Sequence, residues 1–87
     1  MIGKFATSKA GHDKSQLYVI IDADKEFVYL CDGRLKPYSN PKKKRIKHIQ
    51  MINETVEEDL RARLLAKGNV RDEEIKFALK QFIKTNN

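Results

Sequence analysis

The chain has 87 residues, and its 18 lysines and arginines outnumber its 12 aspartates and glutamates, which gives a net charge of +6. This length allows one domain with a modest core, or one small domain with an appendage. The single cysteine excludes an intramolecular disulfide, and no apolar run approaches the ~20 residues of a membrane-spanning helix. Because the first residues also lack an apolar segment of signal-peptide length, we predict a cytoplasmic protein.

The positive charge is unevenly distributed along the chain. Residues 1–52 contain 11 basic and 5 acidic side chains, whereas residues 53–87 contain 7 of each. The whole excess therefore lies in the first part, and a basic patch on one folded unit attracts polyanions, of which nucleic acid is the commonest. An anionic membrane surface is a weaker alternative, because no basic amphipathic helix accompanies the charge.

Residues 1–52 are typical of a small unit of short strands. Residues 17–21 are apolar without a break, and residues 27–31 are aromatic and β-branched. Asp32-Gly33 predicts a two-residue type I′ hairpin turn, and the segment between Pro37 and Pro41 is predicted to be a loop. The predicted strands are residues 2–8, 16–22, 27–31, 34–36 and 45–50. Five short strands favour a barrel over an open sheet, because closure hides the strand edges.

Residues 53–87 predict two short amphipathic helices. Thr55 to Glu58 matches a capping box, and Gly68 is expected to end the first helix in a left-handed conformation. Acidic residues open the second helix, whose apolar stripe is Ile75, Ala78, Leu79, Phe82 and Ile83. Two such short helices are unstable alone, so we expect them to pack on each other and on the barrel.

The residues around the first predicted loop resemble a known motif. A glycine, an acid and a lysine precede the apolar strand: Gly11, Asp13, Lys14, Leu17, Val19 and Ile20. This pattern resembles the KOW motif of large-subunit ribosomal proteins and some transcription elongation factors, although Ser15 stands where the family usually has a second glycine. The basic segment 40–49 is similar to small bacterial KOW-domain proteins related to archaeal and eukaryotic ribosomal proteins. The resemblance covers residues 2–52, and less distinctively the tail, and it implies an SH3-like barrel whose loops contact RNA.

The strongest candidate binding residues are the cations of the basic segment: Lys42, Lys43, Lys44, Arg45 and Lys47. Such closely spaced charges repel one another unless a polyanion or solvent screens them, and phosphate contact would release counterions. Engagement of five duplex phosphates predicts a slope of about −4.5 for log K against log salt. The alternative is a solvated edge strand, since lysines also deter edge-to-edge aggregation.

Further candidates lie in two predicted loops and beside the Asp32-Gly33 turn. Lys9, Gly11, His12 and Lys14 form a second group that is either an RNA contact or an ordinary exposed loop. Arg34 and Lys36 flank the predicted turn and would extend the patch. Tyr38 would stack on an unpaired base, or would simply pack against a neighbouring proline.

No catalytic or metal-binding pattern accompanies these residues. His12, Cys31 and His48 lack recognisable ligand spacing, and Cys31 lies inside an apolar strand, where it is expected to be a buried hydrophobe. We therefore predict a non-catalytic protein without cofactor or metal, which binds structured RNA, above all ribosomal RNA, in translation. The alternative is a protein-interaction module of the transcription or translation machinery, which uses the barrel and the helical tail. The oligomeric state is left open.

Overall fold

The computed structural model describes residues 1–9 and 16–86, and it contains five strands followed by two helices. The elements are β1 (Lys4–Ser8), β2 (Leu17–Ala23), β3 (Phe27–Cys31), β4 (Lys42–Arg45), a 3-10 helix (Ile46–His48), β5 (Ile49–Thr55), α1 (Glu58–Leu65) and α2 (Asp72–Thr85). The predicted class, mainly β with a helical tail, is confirmed. No helix within these described residues is both long and apolar enough to span a bilayer.

The first three strands lie where the sequence predicts them, and the last two do not. Residues 34–36 belong to a turn instead of a strand, because the Asp32 carboxylate accepts hydrogen bonds from the backbone N–H groups of Arg34 and Lys36 at 2.8 and 2.9 Å. Gly33 has a φ of +74° in this turn, and the predicted two-residue hairpin is wrong. The fourth strand is the basic run Lys42–Arg45, and the predicted strand 45–50 is interrupted by the 3-10 helix.

The five strands form one antiparallel sheet in the order β4-β3-β2-β1-β5. In a flat sheet the edge strands β4 and β5 would lie about 19 Å apart. Only residues 46–48 join them, and four Cα–Cα steps span at most about 15 Å. The sheet must therefore curve, and irregularities in the register between Lys4 and Ala6 and between Ile20 and Asp22 assist the bend.

The curved sheet remains open, so the prediction of a closed barrel is wrong. β4 pairs only with β3, and β5 pairs only with β1, in the described part of the chain. Residues Ile46–His48, which connect β4 to β5 where the two edges approach, form the 3-10 helix. They therefore join the edges without adding a fifth ladder of hydrogen bonds to the four that the sheet has.

Apolar side chains cover both faces of the sheet. One cluster is built from strand residues alone: Ala6, Tyr18, Ile20, Val28, Leu30 and Ile49. The other joins strand residues to the tail: Phe5, Val19, Ile21, Cys31, Val56, Leu60, Leu64, Val70, Ile75 and Leu79. Alternate residues of a strand point to opposite faces, which explains why β2 and β3 contribute to both clusters. The helices are thus part of the same folded core as the sheet.

α1 begins and ends differently from the prediction. Thr55 is the last residue of β5, and Glu57 caps the helix because its carboxylate accepts hydrogen bonds from the N–H groups of Asp59 and Leu60. At the other end, Lys67 takes the left-handed conformation with a φ of 55°. The N–H group of Gly68 donates to the Arg63 carbonyl at 2.9 Å, which closes a Schellman motif around Lys67. The predicted roles of Thr55 and Gly68 are therefore wrong.

α2 agrees with its predicted pattern except at one residue. Ile75 and Leu79 are buried, and Ala78 and Phe82 pack against the same cluster. Ile83 is 53% exposed, so it does not belong to the core-facing stripe. The helix begins with Asp72, Glu73 and Glu74, whose negative charge complements the positive end of the helix dipole.

Candidate nucleic-acid interface

The basic run of β4 lies on an edge of the sheet, and its side chains divide between two faces. Lys42 and Lys44 are paired in register with Leu30 and Val28 of the strand-only cluster. Lys43 and Arg45 are paired with Tyr29 and Phe27, on the opposite face. The division follows from the two-residue period of a strand. The four adjacent cations of β4 are therefore not equivalent in the structure.

Lys43 and Arg45, the two cations on the outer face of β4, both lie against the aromatic ring of Phe27. Lys43 Nζ lies 4.3 Å from the centre of the Phe27 ring, and the Arg45 guanidinium carbon lies 5.1 Å from it. Arg45 Nη1 also contacts Glu26 Oε2 at 2.9 Å, in an ion pair whose side chains are 50% and 66% exposed. A pair so exposed contributes little to stability. Phe27 is a site residue that the sequence does not single out. The sequence does not predict that Lys42–Arg45 forms a strand beside Phe27, so it does not bring Lys43 and Arg45 to this ring.

A lysine on the other face ties two strands together that are not neighbours in the sheet. Lys44 Nζ donates a hydrogen bond of 2.6 Å to Oγ of Ser8, the buried last residue of β1. β4 and β1 are separated by two strands in the sheet order. This contact is therefore a direct consequence of the curvature, and it gives Lys44 a structural role. Lys42, on the same face, is half-buried.

The 3-10 helix lies beside the end of β1 and adds basic side chains there. The N–H group of Lys9 donates to the His48 carbonyl at 2.9 Å, and Ser8 is in register with Ile49. Lys9, Lys47 and His48 are all exposed. We call the set Lys9, Lys42, Lys43, Lys44, Arg45 and Lys47 the basic edge. The predicted contacts Gly11, His12 and Lys14 lie outside the described residues.

The remaining predicted contacts belong to a region that packs on the helices. A Cβ built on Gly33 would lie 2.5 Å from the Asp72 carbonyl oxygen, so this turn touches the start of α2. Tyr38 is bonded to the helical tail: its N–H donates to Asp72 Oδ1 at 2.8 Å, and its hydroxyl donates to the Gly68 carbonyl at 3.2 Å. Arg34 is exposed and Lys36 half-buried. Among the described hydrogen bonds, none links this region to the basic edge.

A second acid near Lys43 and Arg45, Asp24, favours its charged form. The Asp24 carboxylate accepts hydrogen bonds from the N–H groups of Phe27 and Glu26, and these bonds, with a smaller contribution from Lys43, lower its pKa. This acid shapes the β2–β3 turn. Asp24 and Glu26 offset part of the positive charge, but the six lysines and arginines of the basic edge outnumber them, so the region can attract anions.

Cys31 is buried in β3. This burial raises the pKa of its thiol to about 12, which favours the protonated form at neutral pH. No group of three or more histidine, cysteine, aspartate or glutamate side chains forms a metal-binding arrangement within residues 1–9 and 16–86. What the structure offers in this region is a cationic surface with an aromatic ring at its centre.

Neither a protein-family model nor a curated protein matches the chain.

Proposed function

We propose that this chain is a non-catalytic RNA-binding protein of the KOW type, which works in the cytoplasm and binds ribosomal RNA through the basic edge. The observation that carries the proposal is the pair of contacts that join Ser8 to Lys44 and Lys9 to His48. They bring the end of β1, with the exposed Lys9, beside the lysine-rich strand β4 and the 3-10 helix. Cations far apart in sequence thereby lie close together, as phosphate binding at several points requires.

The architecture supports an SH3-like assignment. Opposite edges of a five-stranded sheet are joined by only three residues, which gives the curved half-open form that a small SH3-like unit needs. The strand-only apolar cluster fills the inside of the curve. The short edge strand β4 directs Lys43 and Arg45 away from that cluster and exposes them, whereas Lys42 and Lys44 are half-buried on its side of the sheet.

The proposed mechanism is electrostatic capture combined with recognition of shape. Lys9, Lys43 and Lys47 are exposed and are free to move toward phosphates, whereas Lys44 is held by Ser8. A-form RNA hides its base edges in a deep, narrow groove, so a small basic surface reads its backbone and 2′-hydroxyl geometry. Phe27, flanked by Lys43 and Arg45, adds an apolar surface on which a base or ribose can rest.

The test is a triple variant of the exposed lysines, Lys9→Ala, Lys43→Ala and Lys47→Ala. Its affinity for purified large-subunit ribosomal RNA is measured by filter binding over a series of salt concentrations. Each lysine that contacts a phosphate contributes about one to the slope of log K against log salt, so the triple variant is expected to reduce the slope by about three.

A matched control removes the same charge from α2, by Lys76→Ala, Lys80→Ala and Lys84→Ala. These lysines are also exposed, and the control is expected to keep the slope of the unchanged protein. Equal losses in both variants would indicate an effect of net charge alone and would refute the basic edge as the interface. A DNA duplex that competes as well as the RNA would refute the preference for RNA.

A further inference from the structure

A second surface of the protein is an apolar groove with an acidic rim. The groove has a volume of about 680 Å³ and lies where the end of β5 meets α1 and α2. Its apolar floor includes Phe5, Phe77, Ala78 and Phe82. Phe77 is 62% exposed, which is unusual for a phenylalanine in a chain with so small a core.

The rim carries the opposite charge to the rest of the protein. Four glutamates and one arginine line the groove: Glu54, Glu57, Glu73, Glu74 and Arg71. Glu74 is neutralised by an ion pair with Arg63 at 2.6 Å. The exposed Glu54, Glu57 and Glu73 still outnumber Arg71. The net charge of the chain is +6, so this acidic rim is a local concentration of negative charge that the overall composition does not predict.

The groove is also fixed in shape. The Phe5 and Phe82 rings lie 4.5 Å apart between centroids, and Glu57 is held in place by the N–H groups that it caps. Glu74 accepts hydrogen bonds from Arg63 and from the N–H group of Arg71. A preformed groove loses little conformational entropy when a ligand binds.

We propose that this groove binds a basic amphipathic helix of a partner protein. Apolar side chains on one face of that helix would contact Phe77 and Phe82, and lysines or arginines on its flanks would face Glu54 and Glu73. Helix-in-groove recognition of this kind uses apolar residues spaced three or four apart. A second copy of the chain is a poorer occupant, because the apolar stripe of α2 is already buried against the sheet.

The groove is distinct from the basic edge, and this inference is independent of RNA binding. β5 runs from Ile49, beside the basic edge, to Thr55, beside the groove. Six steps along a strand span about 20 Å. The two surfaces therefore lie at opposite ends of β5, and each can be altered without touching the other.

The experiment uses the full chain and a synthetic peptide of about 18 residues that forms a helix, with leucines along one face and lysines elsewhere. Binding is measured by fluorescence anisotropy and localised by chemical-shift changes in NMR spectra. We expect Phe77→Asp to weaken binding about tenfold or more, since an aromatic side chain that lines the groove and is covered by the ligand is a typical hot spot. Glu73→Lys tests the charge separately, and it is expected to weaken binding while the apolar floor stays intact.

Ile83→Asp is the matched control, because Ile83 is exposed on the same helix and does not line the groove. Ile83→Asp is expected to bind the peptide with unchanged affinity. Phe77→Asp is expected to bind ribosomal RNA with unchanged affinity. A peptide with glutamates in place of its lysines is expected not to bind. Equal binding by the Phe77 and Ile83 variants, or shifts away from the groove, would overturn the proposal. A dimer that Phe77→Asp dissociates would also overturn it, in favour of a second copy as the occupant.

Discussion

The left-handed conformation of Lys67 allows a sharp test of the structure. A residue with a Cβ atom in this conformation costs roughly 1 kcal/mol or more relative to glycine. Lys67 has a φ of 55°, and its ammonium group forms an ion pair with Asp22 at 3.0 Å. The Lys67 and Asp22 side chains are 72% and 39% exposed, so this ion pair contributes no more than about 0.5 kcal/mol to stability.

Two substitutions separate the backbone from the ion pair. Lys67→Ala removes the ion pair and keeps the Cβ atom, so the free energy of unfolding is expected to fall by up to about 0.5 kcal/mol. Lys67→Gly removes both. Glycine removes the backbone strain of the left-handed conformation. It also gives the unfolded chain more conformational freedom, which lowers the stability by about 0.5 kcal/mol. We therefore expect the free energy of unfolding of Lys67→Gly to exceed that of Lys67→Ala by about 0.5–1 kcal/mol.

Urea denaturation followed by circular dichroism measures this difference. With an m-value of about 1 kcal/mol/M for a chain of this size, the two midpoints are expected to differ by about 0.5–1 M. Gly68→Ala is the control: a Cβ atom on Gly68 would meet the Arg63 carbonyl oxygen at an ordinary 3.6 Å, so it is expected to be neutral or slightly stabilising. A large loss in Gly68→Ala, with Lys67→Gly no better than Lys67→Ala, would show that the glycine ends the helix and would refute this account.

Two further predictions concern stability. Hydrogen bonds from Arg63, followed by the N–H group of Arg71, lower the pKa of Glu74 from 4.5 to about 2. Its folded-state pKa is depressed, so its contribution is present above the unfolded value and is lost as the pH falls toward 2. Thermal unfolding of Glu74→Gln is therefore expected to show a weaker pH dependence in that window, and an unchanged dependence would contradict it. Ile75 is fully buried, so Ile75→Ala is expected to cost about 2–5 kcal/mol in urea unfolding, and a loss below about 1 kcal/mol would contradict its place in the core.

The elements that the sequence predicts correctly are those whose own side chains make the pattern. β2 and β3 are runs of apolar, β-branched and aromatic residues, and α2 combines an acidic start with an apolar stripe that ends in Phe82. In these segments local preference and tertiary packing agree. Ile83 extends the stripe in the sequence, and only the packing of the folded chain shows that its side chain is 53% exposed.

The elements that the sequence misplaces depend on partners elsewhere in the chain. Lys42–Arg45 has no alternation of apolar and polar residues, and it is a strand because it pairs with Phe27–Leu30. The candidate site is affected in the same way. Its positive charge is evident from composition, but the division of Lys43 from Lys44 follows from the register. The role of Phe27 follows from that division.

The arrangement of charge also relates the two proposed surfaces to each other. At physiological salt the field of an exposed charge is screened within about 8 Å, and the surfaces are separated by the length of β5, about 20 Å. Each surface therefore acts on its own ligand with little electrostatic influence from the other. On approach to a polyanion, however, the basic edge is attracted while Glu54 and Glu73 are repelled. A protein bound to RNA in this orientation holds its apolar groove away from the nucleic acid, where a basic helix of a neighbouring protein can reach it.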